Sequence, residues 1–159
     1  MTKFRTLKEA ADNNTAIILK MFGDDTKYEI LIPSDEFSCF DGIIKFKDSG
    51  KYAFVEVKER QFSNKHLKNN FGGSFILEKH KYNCLHKSIE GFDKEVASLL
   101  YICVTDNGYA YCFNLLNKEY DWISKELVCS TYNNTDCRIK EITYLHIGDS
   151  SFFTNINCL

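Results

Sequence analysis

Asp41, Glu56 and Lys58 are the residues whose types and spacing could do chemistry. Asp41 follows the aromatic Phe40 and opens an apolar stretch, Gly42-Ile43-Ile44. Fifteen residues on, Glu56-Val57-Lys58 sets an acid and a base one residue apart. On a strand these two share a face, while Val55 and Val57 point to the core. Asp48-Ser49-Gly50-Lys51 reads as a tight turn, so the segment from Asp41 to Lys58 is predicted to be a hairpin. With the turn centred near residue 49 or 50, position 41 is expected to pair close to position 58, and Asp41 to converge on Glu56. Two carboxylates at one point form a hard-oxygen site for Mg²⁺ or Mn²⁺. A lysine beside them can orient or deprotonate a water and neutralise developing negative charge. The bare E-x-K triplet carries less, because such pairs are common as weak salt bridges on exposed strands.

The elements that must position these residues follow from periodicity. Phe4, Leu7, Ala11, Ile18 and Phe22 recur at helical steps, which predicts a helix over 3–22, stopped by Gly23 and Asp24-Asp25. Residues 27–32 read as a strand ended by Pro33. After the hairpin, 62–73 reads as a polar loop. A helix capped by Ser74 is expected to run to about residue 86 or 88, with Ile76, Leu77, Tyr82 and Leu85 as its stripe. The apolar run 97–104 is a buried strand, and 108–115 completes a second hairpin. A short helix around Trp122 over 118–128, a polar loop over 130–136 and a last strand over 140–147 finish the chain.

The pattern Phe40-Asp41-Gly42-Ile43-Ile44, with Glu56-Val57-Lys58 fifteen residues after Asp41, resembles the signature of the PD-(D/E)xK nuclease superfamily. That group includes Holliday-junction resolvases and restriction endonucleases. Phe40 stands where the signature usually has proline. The resemblance implies an α+β (α/β) fold with a restriction-endonuclease-like αβββαβ core. Its mixed central sheet would be flanked by helices, with a core over about 3–115 and a β-rich C-terminal extension over about 116–159 of one domain. It implies a metal-dependent nuclease acting on nucleic acid, DNA before RNA. Asp41, Glu56 and the Val57 carbonyl would hold Mg²⁺ or Mn²⁺, with Glu9 from the first helix as a further ligand. Lys58 would be the catalytic lysine, Gln61 a polar auxiliary, and Lys79 or Tyr82 would face the cleft. The resemblance leaves oligomeric state open, with a homodimer that cuts two strands as one option.

Charge is unevenly spread. The chain's net charge is −2. Between Lys45 and Lys87, ten Lys/Arg face four acids, a local +6 in a chain that is otherwise −8. A basic segment of this kind suits a polyanion, with Lys45, Lys47, Arg60, Lys65 and Lys68 on flanking phosphates. A merely solvated surface would show the same charges.

Composition bounds the alternatives. A chain of 159 residues with 44% apolar and 14% aromatic residues suits one globular domain and excludes a wholly disordered one. No apolar run reaches a membrane span of ~20 residues. A polar start without a signal-peptide core leads to the expectation of a cytoplasmic protein. The seven cysteines contain no C-x-x-C pair and are expected to be reduced and mostly buried. Phosphate-loop, zinc-protease and serine-hydrolase motifs are absent. Two other readings compete with the nuclease. One is a catalytically silent nuclease-fold module that binds nucleic acid or a partner protein. The other is an unrelated α+β interaction domain of viral, phage or mobile-element origin.

Overall fold

The structure is a computed structural model that describes residues 6–34, 38–128 and 137–159. Helix α1 (Leu7–Phe22) opens with a capping box, in which Thr6 and Glu9 each accept the other's backbone N–H. Strands β1 (Tyr28–Leu31), β2 (Gly42–Phe46) and β3 (Tyr52–Glu59) form an antiparallel meander. Strand β5 (Val96–Val104) then lies parallel to β3, and β6 (Tyr109–Asn114) returns antiparallel to β5. The crossover between β3 and β5 carries α2 (Asn64–Asn70), β4 (Ser74–Glu78) and α3 (Lys79–Ser88). This is the mixed sheet and flanking helices that the resemblance implied. Among the described residues no helix is long and apolar enough to cross a membrane.

The chain's last third is β-rich. Strands β7 (Ile123–Val128) and β8 (Cys137–His146) join β4 in a second sheet, ordered β4-β8-β7. Strand β9 (Phe152–Asn155) returns to the first sheet beside β6, completing the order β1-β2-β3-β5-β6-β9.

The two faces of the central sheet bury different chemistry. On one, Ile17 and Ile18 of α1 pack on Ile44, Ala53, Val55, Val57 and Ile102. On the other, Phe54, Tyr101, Tyr111 and Phe113 pack against Leu67, Phe75, Leu77 and Leu85 from the crossover. Alternation along β3 sends Val55 and Val57 to the first face and Phe54 and Glu56 to the second.

Four expectations are corrected. Ser74–Glu78 is a strand, because Phe75 and Leu77 alternate into the core opposite Leu145 and Thr143 of β8; the helix begins only at Lys79. The polar loop contains α2, capped by Ser63, with Leu67 as its buried residue. The helix expected around Trp122 is replaced by β7, whose partner β8 lies later in the chain. Cys39 and Cys84 form a disulfide with Cα atoms 5.4 Å apart; Cys103 and Cys112 are free and buried, Cys137 and Cys158 free and exposed. The loop expected over 130–136 and the helix start at residues 3–5 lie outside the described residues.

Candidate functional site

The hairpin turn sets the register. Phe46 N–H donates to the Lys51 carbonyl, and Gly50, at φ +68, donates back to Phe46. Gly50 adopts a left-handed backbone that other residues enter only with strain. Pairing then runs Lys45 with Tyr52 and Gly42 with Val55. Asp41 N–H donates to the Val55 carbonyl at 2.7 Å, so Asp41 sits beside Glu56 and not, as expected, opposite Lys58. A turn centre displaced by one residue moves the pairing by two. Here the move tightens the convergence.

The Asp41 carboxylate is held by two groups. Its Oδ2 accepts the Val57 N–H at 2.7 Å and the Asn14 side-chain amide at 3.2 Å. The same Asn14 amide donates to the Val57 carbonyl at 3.2 Å. Asn14 thus bridges the two oxygen groups expected to share a cation. Glu56 is 5% exposed, and its Oε1 lies 2.7 Å from Lys81 Nζ. Arg60 donates to the Ile76 carbonyl at 2.7 Å and to Tyr101 Oη at 3.3 Å, while its buried Nε has no hydrogen-bond partner among the described residues.

Burial dominates the electrostatics. It pushes the Glu56 carboxyl up to about 7, the nearby Asp41 charge pushes the same way, and Lys81 opposes both. Burial also raises Asp41, against the Val57 and Asn14 hydrogen bonds. It lowers Lys58, helped by the positive charges of Arg60 and Lys81. Two desolvated carboxylates, one of which raises the proton affinity of the other, fit a divalent cation, which favours both in ionised form. Two protein carboxylates also match the few ligands Mg²⁺ takes from a protein. Among the described residues, no three His, Cys, Asp or Glu side chains group together.

The other sequence-predicted residues divide. Glu9 sits in the capping box at the start of α1, and the α1 residue in contact with Asp41 is Asn14. Lys79 pairs with Glu141 at 2.9 Å. Tyr82 donates its hydroxyl to the Lys118 carbonyl and packs on Tyr120 and Trp122. Lys81 is the α3 residue that reaches the carboxylates. Lys45 and Lys47 lie at the turn end of β2, with Lys45 beside Glu29 and Tyr52. That end is four residues along the strand from Asp41, roughly 13 Å away. Arg60 is engaged as described, Gln61 is exposed just beyond β3, and Lys65 and Lys68 are exposed on α2.

Asn14, Lys81 and Tyr101 were not anticipated. Two of them leave a trace in the sequence. Asn14 precedes Ile17 and Ile18 by three and four residues, and Lys81 precedes Leu85 by four, so each is a polar residue on the inward face of its helix.

No protein-family model and no curated protein matches the chain. Among solved structures, the chain is similar to Hjc, a Holliday junction resolvase from the archaeal hyperthermophile Archaeoglobus fulgidus. The identity is 14% and the TM-score 0.48, over 70% of this chain and 78% of that one.

Proposed function

We propose that the chain is a divalent-metal-dependent nuclease that hydrolyses phosphodiester bonds of DNA at Asp41, Glu56 and Lys58. The observation that carries this reading is the meeting of two desolvated carboxylates at one point of a hairpin, with a buried-side lysine on the same strand face. Asp41, Glu56 and the Val57 carbonyl would hold Mg²⁺ or Mn²⁺. When bound, the cation supplies charge stabilisation to the phosphate and lowers the pKa of water.

The chain's own residues do the rest. The Val57 N–H fixes Asp41 Oδ2 and leaves Oδ1 for other partners. Asn14 restrains Asp41 and the Val57 carbonyl together, so these oxygens need no reorganisation during the reaction. Lys58 Nζ, with its proton affinity lowered by burial, can take a proton from the attacking water, while the leaving oxygen, on the opposite side of the phosphorus, takes its proton from solvent. Lys65 and Lys68 of α2 meet flanking phosphates.

A second reading is a catalytically silent module that binds nucleic acid. It is favoured by Lys81, which already neutralises Glu56 at 2.7 Å. One experiment separates the two. Plasmid, linear duplex, single-stranded and four-way-junction DNA are incubated with the protein in Mg²⁺, Mn²⁺ or EDTA. Cleavage in either metal that vanishes in EDTA and in Glu56→Ala supports the nuclease; binding without cleavage in any condition supports the silent module.

A further inference from the structure

At the far edge of the central sheet, β6 and β9 present a ladder of rings. Phe153 stacks on Tyr109, with centroids 5.7 Å apart and planes 9° apart. Its ring lies 4.8 Å from that of Tyr111. Despite these partners Phe153 is 49% exposed. Beside it is a surface hollow of ≈ 360 Å³ lined by Lys68, Tyr111, His146, Gly148, Ser150 and Phe153. His146 Nδ1 accepts the Gly148 N–H at 3.0 Å, so the neutral ring carries its proton on Nε2, as a donor.

The hollow therefore combines a flat apolar platform, a lysine and a ring N–H. A ligand complementary to all three has a π face next to an anion and an acceptor, which describes a nucleotide. The sheet register ties the hollow to the carboxylates. Lys58 pairs with Cys103, Cys103 with Tyr111, and Tyr111 with Phe153. Lys58 and Phe153 are thus the two ends of one row on one sheet face, three strand spacings or roughly 14 Å apart. Helix α2 starts four residues after Arg60, and its Lys68 lines the hollow, so positive charge runs from one end toward the other.

We infer that this hollow is a stacking site for an unpaired nucleobase, with Phe153 as the platform and Lys68 on the adjoining phosphate. The inference rests on the nucleic-acid part of the reading above and is independent of cleavage. A base inside a duplex has both faces covered by its neighbours. Only a base freed at a gap, flap, loop or single strand can stack on Phe153. The substrate class is accordingly DNA with unpaired nucleotides, and the site selects structure over sequence, because every base has a π face.

The test is binding of the full chain in EDTA, where cleavage is off, read by fluorescence anisotropy. One probe is a fully paired duplex; the other is the same duplex with a short thymine gap. The wild type binds the gapped probe more tightly. Phe153→Ala loses about tenfold on the gapped probe and nothing on the duplex, and Phe153→Trp restores the preference. Phe152→Ala changes neither, since Phe152 is 55% exposed but pairs with Cys112 and points to the opposite side of β9. Equal loss on both probes with Phe153→Ala, or no loss on the gapped one, overturns the site. If the wild type binds neither probe, the site and the nucleic-acid reading fall together. If it binds with the stated preference yet never cleaves in Mg²⁺, the stacking site stands and only the nuclease is lost.

Discussion

Strand β3 serves two unlike faces. Its odd-numbered residues Ala53, Val55 and Val57 meet α1 in a dry aliphatic layer. On the other side Phe54 joins an aromatic cluster, while Glu56 and Lys58 bring charge under it. The first face gains stability from every group it buries. The second buries two carboxylates whose desolvation opposes folding, and answers them with Lys81, Asn14 and a backbone N–H. Residues one apart in sequence thus belong to different selection problems. One face is built for stability, and the other holds charge at an energetic cost that Lys81, Asn14 and the Val57 N–H offset in part.

The contrast can be broken from either side. The largest effect is expected at the charged face. Asp41→Ala and Glu56→Ala should each reduce metal-dependent cleavage by about a thousandfold while circular dichroism and the thermal transition stay native-like. Undiminished cleavage by either variant removes these residues from the site. Next comes the dry face. Ile18→Ala, a truncation at a fully buried position, should cost about 4 kcal/mol in urea unfolding, with cleavage per folded molecule unchanged.

A third measurement sharpens the same comparison through pH. Glu56 titrates at about 7 in the folded chain, above its ordinary 4.5. The native state therefore holds this proton more tightly than the unfolded one. Its contribution is fully present below pH 4.5 and is lost as pH rises through 7, a change of about 3 kcal/mol. Urea midpoints of wild type and Glu56→Gln in EDTA at pH 4.5 and 7.5 should differ by that amount in their pH dependence. Parallel dependences would show that Glu56 titrates normally. The smallest effect is expected for Asn14→Ala, which removes one donor from Asp41 and should lower stability by about 2 kcal/mol at neutral pH. Mg²⁺ affinity, read by calorimetry, should fall with it; an unchanged affinity would confine Asn14 to a structural part.

The hairpin was legible because alternation and turn chemistry agree over the same residues, 42–59. The convergence of Asp41 on Glu56 could be read from that hairpin, while the roles given to Asp41, Glu56 and Lys58 come from the family resemblance. Ser74–Glu78 and Ile123–Val128 could not, because each is a short segment whose partner, β8, comes later in the chain. Periodicity over five or six residues fits helix and strand alike, and a distant pairing decides. Asn14 and Lys81 were hidden for a similar reason. Their importance lies in what α1 and α3 pack against, and local pattern does not report a helix's neighbour. Lys79 and Tyr82 were expected at the cleft through the family resemblance, and only the packing of Leu85 fixes which side of α3 turns inward.

The Cys39–Cys84 disulfide has a topological consequence. Its sequence separation is 45, and the ring it closes contains Asp41, Glu56, Lys58, Arg60 and Lys81, while Asn14 and Tyr101 lie outside. With the bond closed, an unfolded chain never lets the acidic pair and its lysines drift further apart than that ring allows. Loop-closure entropy for a ring of this size is worth about 4 kcal/mol to the native state. Reduction therefore enlarges the conformational space of the candidate site residues, and leaves α1 and the C-terminal strands with the freedom they already had.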